Sequence, residues 1–307
     1  MIAVDWGTSN LRAWRLDAAA GVVGHAAAGV VGHAASAQGI TRIAPGGFAA
    51  TLRETVGAWL DDGERQVLLC GMVGSRQGWV EAPYLPCPAT PAAIAAALVD
   101  VPFDGAEVKL IPGLSGRDAD GTPEVMRGEE TKLVGLMAAL GGTGLVCMPG
   151  SHTKWARLQD GRIAGFATYF TGEAFAALRD GTILGRMMRH DGAVDAEGFR
   201  RGVARSGESG HLLHHLFGVR TLGLFDQLGE AQAAGFLSGL LIGHEVRAAI
   251  ADAGADAGQT AVHLVGDATL VGLYATALEA CGGRAEAMAL DAALAGLILI
   301  GGQAAWR

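Results

Sequence analysis

An α/β protein of two lobes is the fold class this sequence predicts, and three observations carry that reading. A strand, a turn of Gly, Ser and Thr residues, and a second strand occur near residue 1 and recur near residue 145. Segments with helical spacing of apolar residues alternate with short strand-like runs along both halves. The 307 residues, half of them hydrophobic and 18% charged, are enough for a full core and two lobes.

The first hairpin opens the chain. Ile2, Ala3 and Val4 read as a buried strand, and Leu11 to Arg15 as its partner. Between them lies Asp5-Trp6-Gly7-Thr8-Ser9-Asn10. Gly7 lets an anion approach the backbone. Thr8, Ser9 and Asn10 add side-chain donors to the N–H groups of the turn, which makes a concavity suited to phosphate. Asp5, at the strand end, suits a hydrated magnesium ion, a hard cation that prefers carboxylate and water oxygens. The same residues also fit an ordinary hairpin with a polar turn.

Gly21–Ala28 is echoed by Gly29–Ser36 and reads as one or two strands completing a meander, with His25 and His33 incidental. Phe48, Leu52, Val56 and Leu60 predict a helix that stops at Asp61-Asp62-Gly63, and Gln66–Cys70 a strand. The loop Gly71–Trp79 follows at a strand end, where open α/β sheets place ligands. Its Arg76 fits a carboxylate or phosphate, or an acidic neighbour. Pro83 to Pro91 is an extended, proline-rich excursion, followed by a short helix near Ala92–Leu98 and a strand at Val108–Ile111.

Pro123 to Lys132 leads into a helix with Leu133, Leu136, Met137 and Leu140 on its apolar face. Glu129 and Glu130 in its first turn suit the helix dipole, and equally suit a general base beside a phosphate site. Gly141-Gly142 ends the helix. The domain boundary is expected there, with an N-terminal lobe over 1–140 and a C-terminal lobe over 141–307 whose last helix packs back near the lobe junction.

The second half repeats the opening. Leu145–Met148 is a strand, Pro149-Gly150-Ser151-His152-Thr153-Lys154 a polar glycine turn, and Trp155–Leu158 a strand. Asp160-Gly161 makes a hairpin turn into Ile163–Tyr169. Two such hairpins facing each other could grip a polyphosphate from both sides. Thr171-Gly172-Glu173 is expected to cap the helix Ala174–Arg179, and Thr182 to Gly254 reads as mostly helical. His211, His214 and His215 share a helical spacing without a carboxylate or Cys to complete a metal set, so they read as an ordinary helix. Ala261–Val265 is a strand, and Gly266-Asp267-Ala268-Thr269 opens a helix through Leu278. That turn fits a nucleotide contact as well as a plain strand-to-helix connection. Leu290–Ile300 is a buried final helix.

Net charge is −8 and no dense Lys/Arg cluster exists, which argues against nucleic acid as a partner. The longest apolar tracts are too short to span a membrane. Cys70, Cys87, Cys147 and Cys281 are widely spaced, as expected of reduced thiols in a soluble cytoplasmic protein.

Neither a P-loop nor a dinucleotide fingerprint is present. Two phosphate hairpins in two α/β lobes, with a third Gly turn near residue 266, instead resemble the actin/hexokinase/Hsp70-type ATPase superfamily. That resemblance implies a two-lobed actin-like (ribonuclease H-like) fold, each lobe a mixed sheet with helices, and ATP in the interlobe cleft. Asp5–Asn10 resembles its first phosphate motif, Pro149–Lys154 its second, and Val265-Gly266-Asp267 its adenosine motif. His152 and Lys154 depart from the commoner second motif, and the adenosine motif lacks a second Gly. The blocks Asp5–Arg12, Gly71–Trp79, Met126–Thr131, Pro149–Trp155 and Thr171–Glu173 together resemble the 2-dehydro-3-deoxygalactonokinase family.

The family resemblance implies ATP-dependent phosphorylation of the 6-hydroxyl of 2-dehydro-3-deoxy-D-galactonate in galactonate breakdown. Asp5 would order Mg²⁺ through water, and Gly7, Thr8, Ser9 and Asn10 would cradle the phosphates together with Gly150, Ser151, His152 and Thr153. Arg12 or Lys154 would offset their charge. Glu130, or its neighbour Glu129, would accept the hydroxyl proton. Gly266 and Asp267 would contact adenosine. Ser75, Arg76, Gln77, Arg127 and Thr171 would contact the sugar acid, with Arg76 the first choice for its carboxylate and Arg127 the second. The partner is thus a small sugar acid, and a homodimer stays open. The rival readings are another sugar-acid kinase, a polyphosphate or nucleotide phosphatase of the same superfamily, and, more remotely, a non-catalytic sugar-sensing regulator.

Overall fold

A computed structural model describes residues 1–23, 26–189, 191, 194–253, 261–289 and 291–307. His25 therefore lies outside the described residues, as do Gly254 and Leu290. Two compact units divide the chain. Unit 1 comprises Met1–Thr143, Ala156–Phe166 and Ala289–Arg307, and unit 2 comprises Gly144–Trp155 and Ala167–Met288.

In unit 1, β1 (Ile2–Trp6), β2 (Leu11–Val23) and β3 (Ala26–Ser36) form an antiparallel meander. Helix α1 (Phe48–Asp61) follows, then β4 (Gln66–Cys70), β5 (Tyr84–Pro86), α2 (Pro91–Ala96), β6 (Val99–Val101) and β7 (Glu107–Leu110). The sheet order is β3-β2-β1-β4-β7-β6, with β4 parallel to β1 and β7 parallel to β4. Apolar residues on β1, such as Ile2, Val4 and Trp6, meet Leu52 and Val56 of α1 in one core. Near-continuous apolar runs of this kind are what a strand buried on both faces requires.

Two further strands, β8 (Gly113–Arg117) and β9 (Pro123–Met126), join β5 in a small second sheet. Here the structure departs from the sequence reading. Pro123–Met126 pairs with β8 and does not lead a helix, and α3 (Glu129–Met137) starts only after Gly128.

The second half begins with β10 (Gly144–Met148), β11 (Thr153–Gln159) and β12 (Arg162–Tyr169). Asp160 and Gly161 carry φ of 50° and 72° in the β11–β12 turn, the paired left-handed conformation of a tight hairpin. Then come α4 (Thr171–Gly181), α5 (Ala196–Ser206), α6 (Leu212–Leu224) and α7 (Glu230–Ala253). Strand β13 (Ala261–Leu264), α8 (Ala268–Ala280), β14 (Arg284–Ala287) and α9 (Ala292–Gly301) complete the chain. The sheet order is β12-β11-β10-β13-β14, with β10, β13 and β14 parallel. It repeats the order of the first five strands of the unit 1 sheet. A core of Phe199, Val203, Val246, Val262, Leu264 and Leu278 backs it. His215 on α6 is buried, hydrogen-bonded through Nδ1 to His244 Nε2 at 3.0 Å and through Nε2 to the Ser209 carbonyl at 3.0 Å, as befits the ordinary-helix reading.

The terminal helix corrects the expected domain boundaries. Residues 289–307 belong to unit 1, as does Ala156–Phe166, so 141–307 is not one continuous lobe. The physical reason is the almost wholly apolar face of α9, which packs on α3 where glycines remove the side chains. A Cβ on Gly296 would lie 1.8 Å from the Thr131 carbonyl oxygen, and one on Gly135 would lie 2.1 Å from that of Ala292. Ala in place of a helical Gly ordinarily stabilises by about 0.5–1 kcal/mol. Gly296→Ala should instead lower stability by about 1–3 kcal/mol through overpacking, read as a fall in the urea midpoint. An unchanged or higher midpoint would show that the two helices can part freely.

Candidate active site

The strand ends of unit 1 gather the first group of candidate residues. Asp5 faces Arg12 across the β1–β2 ladder and Cys70 across the β1–β4 ladder. Arg12 Nη2 donates to Asp5 Oδ2 at 2.6 Å, and its Nη1 lies 3.5 Å from Asp291 Oδ2. The Cys70 thiol lies 3.8 Å from Asp5 Oδ1. Arg12, expected to offset phosphate charge, is thus already engaged by two carboxylates.

Beyond Asp5, the turn closes through a hydrogen bond from Gly7 N–H to the Asn10 carbonyl at 2.9 Å. The carbonyls of Gly7, Thr8 and Ser9 accept N–H bonds from Ile40, Thr41 and Gly39. Thr8, Ser9 and Asn10 are exposed. Gly39 is the supporting residue that sequence reasoning missed. A Cβ there would lie 2.2 Å from the Thr8 carbonyl oxygen, so only Gly fits beneath the turn.

The start of α3 reaches the same place. Gly128 has φ +101° and Gly71 has φ +96°, and a Cβ on Gly128 would come 3.2 Å from the Gly71 Cα. A Cβ on Gly71 would in turn lie 2.8 Å from the Trp6 carbonyl oxygen and 3.4 Å from Asp5 Oδ1. The carboxylates of α3 fold back on its own entry. Glu129 Oε2 accepts the Arg127 N–H at 3.0 Å, and Glu130 Oε2 accepts the Gly128 N–H at 2.7 Å. Thr131 Oγ1 donates to Glu130 Oε1 at 3.0 Å.

Glu130 is fully buried, whereas Glu129 is partly exposed. Burial, reinforced by the charge of Glu129, pushes the Glu130 carboxyl up to about 8. Burial, then the charges of Asp5 and Glu130, pushes the Cys70 thiol well above its ordinary value. Asp5, Cys70 and Glu130 therefore share one poorly solvated cluster.

The loop after β4 places its residues unequally. Arg76 is 87% exposed and pairs with Glu81 at 3.3 Å, the acidic-neighbour arrangement. Gln77 is also exposed. Arg127 is buried, donates from Nη2 to the Ala82 carbonyl at 2.7 Å, and holds its guanidinium 4.5 Å from the Tyr84 ring centroid.

Unit 2 has its own glycine turn. Ser151 and His152 are exposed, while Thr153 and Lys154 enter β11 and are buried. A Cβ on Gly172 would lie 2.3 Å from the Gly150 carbonyl oxygen, so the start of α4 braces the turn. Glu173 N–H donates to the Ser151 carbonyl at 3.0 Å, and Glu173 Oε2 pairs with His152 Nε2 at 2.6 Å. Below the turn, Thr153 Oγ1 and Tyr274 OH lie 2.8 Å apart, and Tyr274 donates to Glu245 Oε2 at 2.8 Å. Trp155 Nε1 donates to Glu245 Oε1 at 2.7 Å, and Thr171 hydrogen-bonds the same carboxylate. Glu245, a lone acid within the apolar run of α7, gave no signal in the sequence beyond that interruption. Thr171 is the first residue of α4 and not its cap, which is Phe170. Lys154 Nζ donates to Thr168 Oγ1 at 2.8 Å.

Gly266 lies beside this turn, since a Cβ on it would be 3.4 Å from the Pro149 carbonyl oxygen. Asp267 caps α8, accepting from the N–H groups of Thr269 and Leu270 at 2.9 and 3.2 Å. Both candidate nucleotide turns of unit 2 thus sit at the carboxyl ends of parallel strands, where α/β sheets bind ligands.

The family described as 2-keto-3-deoxy-galactonokinase matches residues 5–300. The chain belongs to this family. A probable 2-dehydro-3-deoxygalactonokinase of Rhizobium meliloti (strain 1021) is 39% identical over 308 residues, covering 99% of this chain and 97% of that protein. The 2-dehydro-3-deoxygalactonokinase of Escherichia coli (strain K12) is 36% identical over 293 residues, covering 95% and 94%. Among solved structures, a candidate 2-dehydro-3-deoxygalactonokinase from Sinorhizobium meliloti superposes with a TM-score of 0.87 at 38% identity, covering 98% of this chain and 97% of its own. The family match runs across both units and takes in every candidate residue described above. Among the described residues, no helix is long and apolar enough to cross a membrane.

The raised Glu130 carboxyl has a consequence for stability. Its native value near 8 exceeds the ordinary 4.5, so the folded state holds a proton that the unfolded state releases over that range. The stabilisation is complete below pH 4.5 and is lost as pH rises through 8. Wild-type stability should fall by a few kcal/mol between pH 5 and 8, on the scale of about 1.4 kcal/mol per pH unit. Glu130→Gln should flatten that part of the profile in chemical denaturation. Parallel profiles for the two proteins would remove the neutral Glu130.

Proposed function

We propose that this chain is an ATP-dependent kinase that phosphorylates the 6-hydroxyl of 2-dehydro-3-deoxy-D-galactonate. The observation that carries the reading is membership of the galactonokinase family over residues 5–300. That family's chemistry also favours a sugar-acid kinase over the phosphatase and regulator readings.

Phosphoryl transfer asks chiefly for positioning and charge stabilisation. The substrate O6 attacks the γ-phosphorus, the bond from that phosphorus to the departing ADP oxygen breaks, and the hydroxyl proton must go to a base. Glu130 is that base. Its carboxyl is held by the Gly128 N–H and the Thr131 hydroxyl, which fixes its orientation. Glu129 serves the same helix entry by holding the Arg127 N–H. Glu130 must lose its own proton first, so turnover rises with pH toward 8.

Each unit carries a polar glycine turn suited to phosphate, Gly7–Asn10 in unit 1 and Gly150–Thr153 in unit 2. Lys154 lies at the edge of the second, and Gly266 with the Asp267-capped start of α8 meets the adenosine. Asp5, a carboxylate at the end of β1 beside the first glycine turn, fits a magnesium ion carried by the nucleotide phosphates and water, whose water it would orient. The ion would supply charge neutralisation at the phosphates. Mg-ATP and a small sugar acid as substrates support a cytoplasmic enzyme.

ADP release with Mg-ATP and the galactonate-derived acid tests the reading against a blank without sugar. Strong acid-dependent release is expected, and Asp5→Ala should abolish it while leaving the circular dichroism spectrum unchanged. Glu130→Gln should lower kcat by about 10²–10⁴-fold and remove the rise of kcat with pH. ADP release that is equally fast in the blank would replace the kinase by a phosphatase. A Glu130→Gln enzyme that keeps the rising limb would move the base elsewhere.

A further inference from the structure

We infer that Glu245 is a positioning residue for nucleotide binding, acting through Tyr274 on Thr153 and through Thr171 on the start of α4; this inference rests on the kinase reading above. Glu245 lies on α7 and is 3% exposed, and among the described residues no cationic side chain pairs with it. A buried carboxylate is costly to the fold unless hydrogen-bond donors answer it. Three donors do so here, the Trp155 indole and the hydroxyls of Tyr274 and Thr171. Glu130 of unit 1 is the proton acceptor in the kinase reading, and Glu245 of unit 2 takes no chemical part in it.

Counting donors fixes the direction of each proton in this cluster. An indole nitrogen only donates, and Tyr274 spends its single proton on Glu245 Oε2 at 2.8 Å. The phenol oxygen is therefore the acceptor for Thr153 Oγ1 at 2.8 Å, and the Thr153 proton points inward. Thr153 is itself fully buried, at the point where the glycine turn becomes β11. Its hydroxyl is thus spent on anchoring the turn, whereas Ser151 and His152 at the tip are exposed.

The other two arms reach the same turn. Trp155 follows Lys154 on β11, so its bond to Glu245 Oε1 at 2.7 Å holds the strand that leaves the turn. Thr171 opens α4, where Gly172 packs on the Gly150 carbonyl and Glu173 bonds to Ser151 and His152. One carboxylate therefore fixes both the strand behind the turn and the helix start that braces its tip. Groups that position phosphates act through preset geometry, and a small displacement weakens them without loss of the fold.

The test compares wild type with Glu245→Gln and Tyr274→Phe, reading Mg-ADP affinity by calorimetry and KM for Mg-ATP and the sugar acid by steady-state kinetics. Gln is nearly isosteric with Glu, but its amide nitrogen is a donor facing donors, so the proton order above cannot form. Each variant should weaken Mg-ADP binding and raise KM for ATP about tenfold, while KM for the acid stays within about twofold. A role confined to holding the fold would lower the melting temperature and kcat and leave both KM values unchanged, and that result overturns the inference. Thr153→Val combined with Tyr274→Phe should bind Mg-ADP no worse than Tyr274→Phe alone, since the two act in series. Additive losses would place the Thr153 hydroxyl on the phosphate and overturn the route through Tyr274. Should Glu245→Gln lack a cooperative melt, Tyr274→Phe, which removes a single oxygen, carries the same expectations. If wild type binds Mg-ADP, both variants bind it weakly and no sugar acid is turned over, the positioning role stands and the kinase falls. No binding of Mg-ADP by wild type overturns the positioning role.

Discussion

Where Gly71 meets Gly128, two backbones pass so closely that a side chain on either would collide with the other strand of the contact or with Trp6. Both residues hold a positive φ that other residues rarely adopt. That contact draws the end of β4, the end of β1 and the entry of α3 onto one point. Asp5, Cys70 and Glu130 share a poorly solvated cluster only because the glycines leave no room for anything else. The raised carboxyl of Glu130 and the orientation of Arg127 one residue before Gly128 both descend from it. The α3–α9 crossing supports the contact from the far side, since Gly296 presses on Thr131, next to Glu130.

Unit 2 solves a similar problem with a buried hydrogen-bond hub. Glu245 gathers Trp155, Tyr274 and Thr171, and Tyr274 passes the connection on to Thr153. One carboxylate thereby ties the strand leaving the glycine turn to α4, α7 and α8. Networks of this kind rigidify when every member is satisfied. The tip of the turn is treated differently, with exposed Ser151 and His152 bonded to Glu173 and the His152 ring stacked on Phe170. Two turns of similar sequence thus rest on different supports, a run of backbone hydrogen bonds from residues 39–41 in one unit and a side-chain hub in the other.

The glycine hairpins were legible because a turn of Gly, Ser and Thr between apolar runs has few other uses. Strands β4, β10 and β13 and helix α1 were legible from apolar runs and from 3.6-residue spacing. Strands β8, β9 and β14 were not. They are short, and Gly113–Arg117, Pro123–Met126 and Arg284–Ala287 carry too few apolar residues to show a period. Pro123–Met126 even borrowed the helical pattern of the residues after it, until pairing with β8 overrode it. The candidate site was legible as residue types and not as environments. Arg76 and Arg127 look alike in sequence, and only the fold separates a solvated ion pair from a buried guanidinium. Glu129 and Glu130 are adjacent, and the fold buries one of them.

Helix α9 is the last element in the chain, yet it completes the core of the first unit. On a ribosome the N-terminal segment emerges long before α9 does, so α3 waits with its Gly135 face bare while all of unit 2 is made. Domains usually fold in the order of synthesis, the first to emerge closing first. Here the order is reversed: the second unit can close while the first still lacks a wall. The Asp5–Glu130 cluster is therefore finished only after all of unit 2 has been made, which ties the birth of the candidate site to the synthesis of residues 289–307.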